Sequence, residues 1–217
     1  MRLLLCAATH FEIEATITFL NNHQEFKNKI DVLTTGIGLT AATYQLTRKI
    51  LSDRPRFVLQ AGICGSLDNY LSTGDMVVVE NESIGDMGVM EKGVFSSLFK
   101  LGHVPLNEPP WTNGKLSNNI SVLKKTGLTI VDGVTINEIT TNRERINFYK
   151  EKIKANIETM EGAALHYVCL SEKIPFLQLR AVSNFVGERD KNKWALREAI
   201  VNLNIELQKI LIKLFAA

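Results

Sequence analysis

Three polar side chains stand where apolar runs end or helices begin: Glu12, Glu161 and Asn184. A carboxylate so placed can orient a water molecule and accept its proton. Two carboxylate oxygens can accept from two neighbouring hydroxyls, and a carboxamide both gives and takes a hydrogen bond along one edge. The residues alone leave other readings open. Glu12 and Glu14 fall where a first helical turn begins, and the helix dipole stabilises an acid there. The same holds for Glu161, and Asn184 could cap a strand or fasten a turn.

The elements that must position these groups are legible as patterns. Strand-like runs cover residues 3–8, 31–35, 57–61, 76–80, 128–131 and 176–182. Several are apolar on both faces, as central strands covered by helices are. Residues 39–51 and 158–170 carry apolar side chains three and four apart. So does the last segment, at Leu196, Ile200, Leu203, Leu207, Ile210 and Leu214. Strands alternating with helices predict one α/β domain over residues 1–217 with a largely parallel sheet. Ligands of open α/β sheets bind at the carboxyl ends of the strands. The segments there include "TTGIGLTAA", "AGICGSL", "DGVTINEITTN", "ETMEGAA" and "SNFVG". "GIGLTAA" and "GICGSL" read as Gly-rich turns leading into helices. Neither is a dinucleotide fingerprint or a P-loop, which disfavours a nicotinamide or NTP enzyme. Residues 84–116 are dense in Gly, Pro and Asn. They read either as a functional lid or as a surface insertion pinned by Phe95 and Trp111.

Composition removes further classes. The 217 residues are 45% hydrophobic and 22% charged, with a net charge of +2. So small a surplus gives no reason to expect nucleic acid or an anionic membrane as partner. Cys6, Cys64 and Cys169 lack the number and spacing of a disulfide framework or a zinc site and read as reduced core thiols. The four histidines have no ligand spacing, so no metal is expected. The apolar run at residues 3–8 is shorter than a signal h-region of about 7–15 residues and reads as the first strand. No run approaches the roughly 18 apolar residues of a membrane span.

The runs "AGICGSLDNYLSTGDMVVVE", "IETMEGAALHYVC" and "PFLQLRAVSNFVG", with the carboxylate after the first strand, share their order and spacing with one family. The chain resembles the nucleoside phosphorylase/nucleosidase superfamily over nearly its full length. Within it, "GDMGVMEKG" and "SNFVGERDKNKW" resemble the futalosine hydrolases, relatives of the methylthioadenosine/S-adenosylhomocysteine nucleosidases. The resemblance implies a three-layer, nucleoside phosphorylase-like fold with a mixed, mostly parallel sheet flanked by helices. It also implies no cofactor, a cytoplasmic homodimer with residues 84–116 near the interface, and a place in menaquinone biosynthesis.

Roles follow from the matched positions. Glu12 matches the water-activating carboxylate, Glu161 the acid that grips the ribose hydroxyls, and Met160 a residue packed on the sugar. Ile136 and Asn137 fall where the family wraps the base, with Thr135, Thr140 and Asn142 as further polar candidates. Ile63 replaces a small hydroxyl residue of the adenine nucleosidases. Asn184 stands where those relatives carry Asp. Protonated adenine presents two donors at its N7 edge, which suits a carboxylate. Hypoxanthine presents one donor and one acceptor, which suits a carboxamide. Asn184 therefore implies a 6-oxopurine leaving group. Arg189, Asp190 and Trp194 also match; Arg189 either pairs a carboxylate on the substrate's 5′ side or forms an ion pair with Asp190. No Arg or Lys lies in residues 9–14 or 61–67, which favours water over phosphate as nucleophile.

Overall fold

The computed structural model describes residues 2–118 and 121–216. In chain order the elements begin β1 (Leu3–Ala7), α1 (His10–Asn22), β2 (Ile30–Thr34), α2 (Leu39–Asp53), β3 (Phe57–Ser66) and β4 (Met76–Ile84). A hairpin β5 (Gly88–Glu91) and β6 (Val94–Ser97), then β7 (Leu116–Ser117), α3 (Ser121–Lys125), β8 (Thr129–Thr135) and α4 (Arg143–Asn147) follow. Last come β9 (Ile157–Thr159), α5 (Gly162–Ser171), β10 (Phe176–Phe185) and α6 (Leu196–Ala216). No helix among the described residues is long and apolar enough to cross a membrane.

The sheet runs β10-β4-β8-β9-β3-β1-β2, and β10 also pairs with β3. Five strands therefore close into a ring, and β1 and β2 continue beyond it. Pairing is parallel for β2–β1–β3–β10 and β4–β8–β9, and antiparallel where β10 meets β4 and β3 meets β9. Layers form because the central strands are apolar on both faces; every residue of β1 is buried. Ile13 of α1 and Ala199, Leu203, Leu207, Ile210 and Leu211 of α6 cover one face. Ala42, Leu46 and Ile50 of α2 and Ala164, Leu165, Val168 and Cys169 of α5 cover the other. Each such Leu or Ile withdrawn from water contributes about 1.5–3 kcal/mol. The three cysteines are free and buried, as expected.

The structure departs from the sequence reading at the strand ends. "GICGSL" is not a turn into a helix: β3 continues through it to Ser66. The stretch 158–170 is not one helix, because Ile157 and Glu158 pair with β3 and the helix starts only at Gly162. Residues 84–116 form the β5–β6 hairpin and turns held by aromatic packing. Phe99 and Tyr167 pack edge-on to Trp111, and Phe95 to Phe148.

One polar contact ties α1 to α6. The Thr16 N–H and Oγ–H donate to Asn204 Oδ1 at 2.9 and 2.7 Å, while Asn204 Nδ2 donates to the Glu12 carbonyl at 2.9 Å. In a regular helix the Glu12 carbonyl and the Thr16 N–H bond to each other. The carboxamide bonds to both groups and so fastens α6 to the turn that carries Glu12. Asn204→Ala strands these buried groups and should lower stability by about 2–3 kcal/mol. Urea unfolding of the variant beside the wild type measures this; a loss below about 0.5 kcal/mol would show the bridge to be incidental.

Candidate active site

A cavity of about 320 Å³ opens where β1, β3, β9 and β10 end, near the lower end of the size range for small-molecule sites. Glu12, Ile63, Met160, Glu161, Asn184 and Arg189 all line it, so most of the expected site residues converge. Ile136 and Asn137 do not. Ile136 is fully buried among Leu67, Val134 and Tyr149, and the Asn137 backbone and side chain both donate to Asp86. The apolar side chain of that loop that reaches the cavity is Ile139. Thr135 is buried against Glu82, and Thr140 and Asn142 face a separate hollow beneath the β5–β6 hairpin. No residue of 84–116 lines the cavity within the single chain, and that segment is pinned by its aromatics.

Glu12 is held by a capping box. Its Oε2 accepts from the Thr9 N–H and hydroxyl, both at 2.9 Å, and its Oε1 from the Ile63 N–H at 3.2 Å. The cap at the start of α1 thus also holds the Glu12 carboxylate at the cavity wall. Glu161 stands at the N-cap of α5, 6% exposed. Its Oε1 accepts from the Gly38 N–H at 2.8 Å. Gly38 has φ +92°, a backbone that side chains rarely adopt, which explains the glycine of "GIGLTAA". Burial pushes the Glu161 carboxyl up; Arg180 and the Gly38 N–H oppose this, and Glu12 adds to it.

Arg180 was invisible as a site residue in the sequence. It enters from mid-β10, is 2% exposed, and stretches beneath the cavity floor. Its Nη2 donates to Gln60 Oε1 at 2.8 Å and its Nη1 to the Ile63 carbonyl at 3.4 Å, 3.9 Å from Glu161 Oε2. A Cβ on Gly62 would stand 2.4 Å from Nη1 and 3.0 Å from Glu12 Oε1, so only glycine leaves room. The turns themselves lack a cation, as the sequence indicates, yet the neighbouring strand supplies one. It is spent on protein oxygens and is not part of the cavity lining. The lining carries Glu12, Glu158, Glu161 and Glu188 against a single guanidinium, Arg189. An excess of carboxyl groups disfavours a phosphate anion and leaves water as the nucleophile the site accommodates.

Asn184 reaches the cavity through a β-bulge. Val182 pairs with Cys64 and Asn184 with Gly65, leaving Ser183 as an extra residue on β10. Without it, alternation would turn Asn184 to the side of Val182, into the ring. The Ser183 hydroxyl donates to Asn184 Oδ1 at 2.8 Å, and Asn184 Nδ2 donates to the Phe185 carbonyl at 3.0 Å. One lone pair and one N–H of the carboxamide remain for a ligand. Arg189 makes no ion pair among the described residues. Asp190 instead caps a turn by accepting from the Asn192 N–H, and the guanidinium lies 5.8 Å from the centre of the Trp194 ring.

The fold is that of nucleosidase structures. A Helicobacter pylori methylthioadenosine nucleosidase mutant with 5'-methylthioadenosine in its active site superposes with TM-score 0.81 at 19% identity, covering 98% of both chains. The Helicobacter pylori futalosine hydrolase gives TM-score 0.79 at 18% identity, again over 98% of both. Residues 13–216 match the model of the phosphorylase superfamily, and the chain belongs to that family. Among curated relatives, futalosine hydrolase of Thermus thermophilus is 28% identical over 82% of this chain and 80% of its own length. A methylthioadenosine/S-adenosylhomocysteine nucleosidase of Buchnera aphidicola is 25% identical over 86% and 80%.

Behind the turn that carries Glu161 lies a buried polar network. Glu82 accepts from Gln178 Nε2 at 2.9 Å and from the Thr135 hydroxyl at 3.0 Å, and the Thr159 hydroxyl lies at 3.4 Å. Thr135 and Thr159 in turn accept from the Ala163 and Gly162 N–H groups, fixing the start of α5 beside Glu161. Burial raises the Glu82 carboxyl to about 7, against the opposing pull of Gln178 and Arg180. His166, buried nearby, is lowered to about 4 chiefly by burial. A carboxyl raised on folding contributes stability below its unfolded value that is lost as pH rises through its folded value. The free-energy advantage of Glu82→Gln over the wild type should therefore grow as pH rises from 4.5 to about 7, by an amount on the order of 3 kcal/mol. Denaturant titrations at the two ends of that window decide the point; a constant difference would mean Glu82 keeps its charge in the native state.

Proposed function

We propose that the protein is a futalosine hydrolase, cleaving the N-ribosidic bond to release hypoxanthine and the dehypoxanthinyl product in menaquinone biosynthesis. The observation that carries this is the bulge-borne carboxamide of Asn184 in one cavity with Glu12 and Glu161. Once protonated as it departs, the 6-oxopurine offers N7–H to Asn184 Oδ1 and takes a hydrogen bond at O6 from Nδ2. Glu161 accepts the ribose hydroxyls, and Met160 packs on the sugar. As the C1′–N9 bond lengthens, positive charge grows on the sugar. The carboxylates around it stabilise that charge and Glu12 takes a proton from the attacking water. Arg189, unpaired at the cavity rim beside Trp194, suits the aromatic carboxylate on the 5′ side. Phe11, Ile37 and Ile139 line the cavity yet are exposed in the isolated chain, which supports a homodimer that covers them. We place the enzyme in the cytoplasm, acting without a cofactor.

A second reading, an adenine nucleosidase, is favoured by relatives of that name at similar identity. Incubation with futalosine, methylthioadenosine and S-adenosylhomocysteine, with chromatographic identification of the base, separates the two. Hypoxanthine from futalosine is expected; adenine release alone would reverse the assignment. Asn184→Asp should shift the ratio of kcat/KM away from the 6-oxopurine by roughly 10²-fold or more, because an ionised carboxylate has no donor for O6. An unchanged ratio would remove Asn184 from base recognition.

A further inference from the structure

Glu158 has no part in the mechanism above, yet it lines the same cavity. On β9 it pairs with Gly65 of β3, and Gly65 pairs on its other side with Asn184 of β10. Residues paired across neighbouring strands project to one face. A carboxyl, a glycine and a carboxamide therefore stand abreast. At roughly 4.8 Å between strands, the outer two are spaced by about 10 Å at their backbones. The missing side chain of Gly65 keeps the space between them open: a Cβ there would lie 3.5 Å from Asn184 Nδ2 and 2.9 Å from Val186. Glu158 is 9% exposed, and its Oε2 has no hydrogen-bond partner among the described residues. A buried, unsatisfied carboxyl oxygen facing a ligand cavity calls for a ligand.

The chemistry leaves a need that this group meets. The leaving purine gains an electron pair when C1′–N9 breaks and departs more readily if it also gains a proton. A carboxamide has no proton to give at neutral pH. Resting on the futalosine hydrolase reading, we propose that Glu158 is the acid that protonates the departing hypoxanthine while Asn184 holds its N7 and O6 edge. The Glu158 O–H bond breaks as N7 of the purine takes the proton, and the new N7–H then donates to Asn184 Oδ1. The C1′–N9 electron pair passes to the purine, water oxygen bonds C1′, and Glu12 takes the water proton. Solvent then returns a proton to Glu158 and removes one from Glu12, so the sum is nucleoside plus water to purine plus sugar.

The surroundings suit an acid. Burial pushes Glu158 up to about 7, opposed by Arg189 from the segment after β10. The residues paired with it on β3 and β8, Gly65 and Val134, carry no charge. From the segment 148–153, the Tyr149 hydroxyl is raised chiefly by burial, with a smaller contribution from Glu158 itself. Glu12, Glu161 and Glu188 share the cavity wall and, when ionised, also favour the protonated form.

The test is the pH dependence of kcat on futalosine for the wild type and Glu158→Gln. The wild-type rate should fall as pH rises through about 7. The variant should lose that fall and about 10²-fold or more in kcat, with KM changed less than about threefold. A wild-type rate flat through that range overturns the proposal even if the variant fails to fold. So does a variant with raised KM and intact kcat, which would mark Glu158 as a binding group alone. The two readings fail separately. If futalosine yields no hypoxanthine but another purine nucleoside is cleaved with the Glu158-dependent fall, only the substrate assignment is lost. Hypoxanthine release without that dependence removes only the acid.

Discussion

The site is built on one buried positive charge. The Arg180 guanidinium is withdrawn from water beneath two carboxyl groups, and an unpaired charge there would cost several kcal/mol. Gln60 and the Ile63 carbonyl accept from its two terminal nitrogens, Glu161 pairs with it at 3.9 Å, and its Nε has no partner among the described residues. This ties β3, β10 and the start of α5 into one rigid unit. Gly62 is the necessary consequence, since any side chain there would displace the guanidinium. The charge also makes it tolerable to bury Glu161 and Glu12, at 6% and 7% exposure, within one cavity. Those carboxylates in turn suit a sugar on which positive charge develops.

A second constraint acts at the base end. The bulge at Ser183 decides which face Asn184 occupies, and the Ser183 hydroxyl fixes which way the carboxamide points. The sequence shows a polar residue at the tip of a buried strand; the structure shows that an extra residue on the strand is what delivers it to the ligand. Strand, bulge and glycine partner act together, so that neither Gly65 nor Ser183 is replaceable without moving Asn184.

The sequence was most legible where physics is local. Continuous apolar runs marked the starts of β1, β3, β4 and β10 correctly, and the period of α6 matched its buried face. Strand ends were misread because Gly62, Gly65, Glu82 and Asp132 look like turn or surface residues. In the folded chain Gly62 and Gly65 make room for side chains from β10, and Glu82 anchors the helix that carries Glu161. Strand-end position and family resemblance together single out Glu12, Glu161, Met160 and Asn184, and all four line one cavity. Ile136 and Asn137 were misplaced because a loop between β8 and α4 has no periodicity to fix its register. Arg180 gave no signal, since a cation within an apolar strand declares its purpose only through partners far away in sequence. Glu158 was hidden by being read into a helix.

A cavity rich in carboxyl groups, above a guanidinium whose terminal nitrogens are engaged by protein oxygens, suits water and not phosphate as the group that attacks the sugar. Turnover of futalosine in ¹⁸O-enriched water, with and without inorganic phosphate, tests this directly. The account predicts one ¹⁸O at the anomeric hydroxyl of the sugar product and a rate indifferent to phosphate. Base release that requires phosphate and yields a sugar 1-phosphate would contradict it.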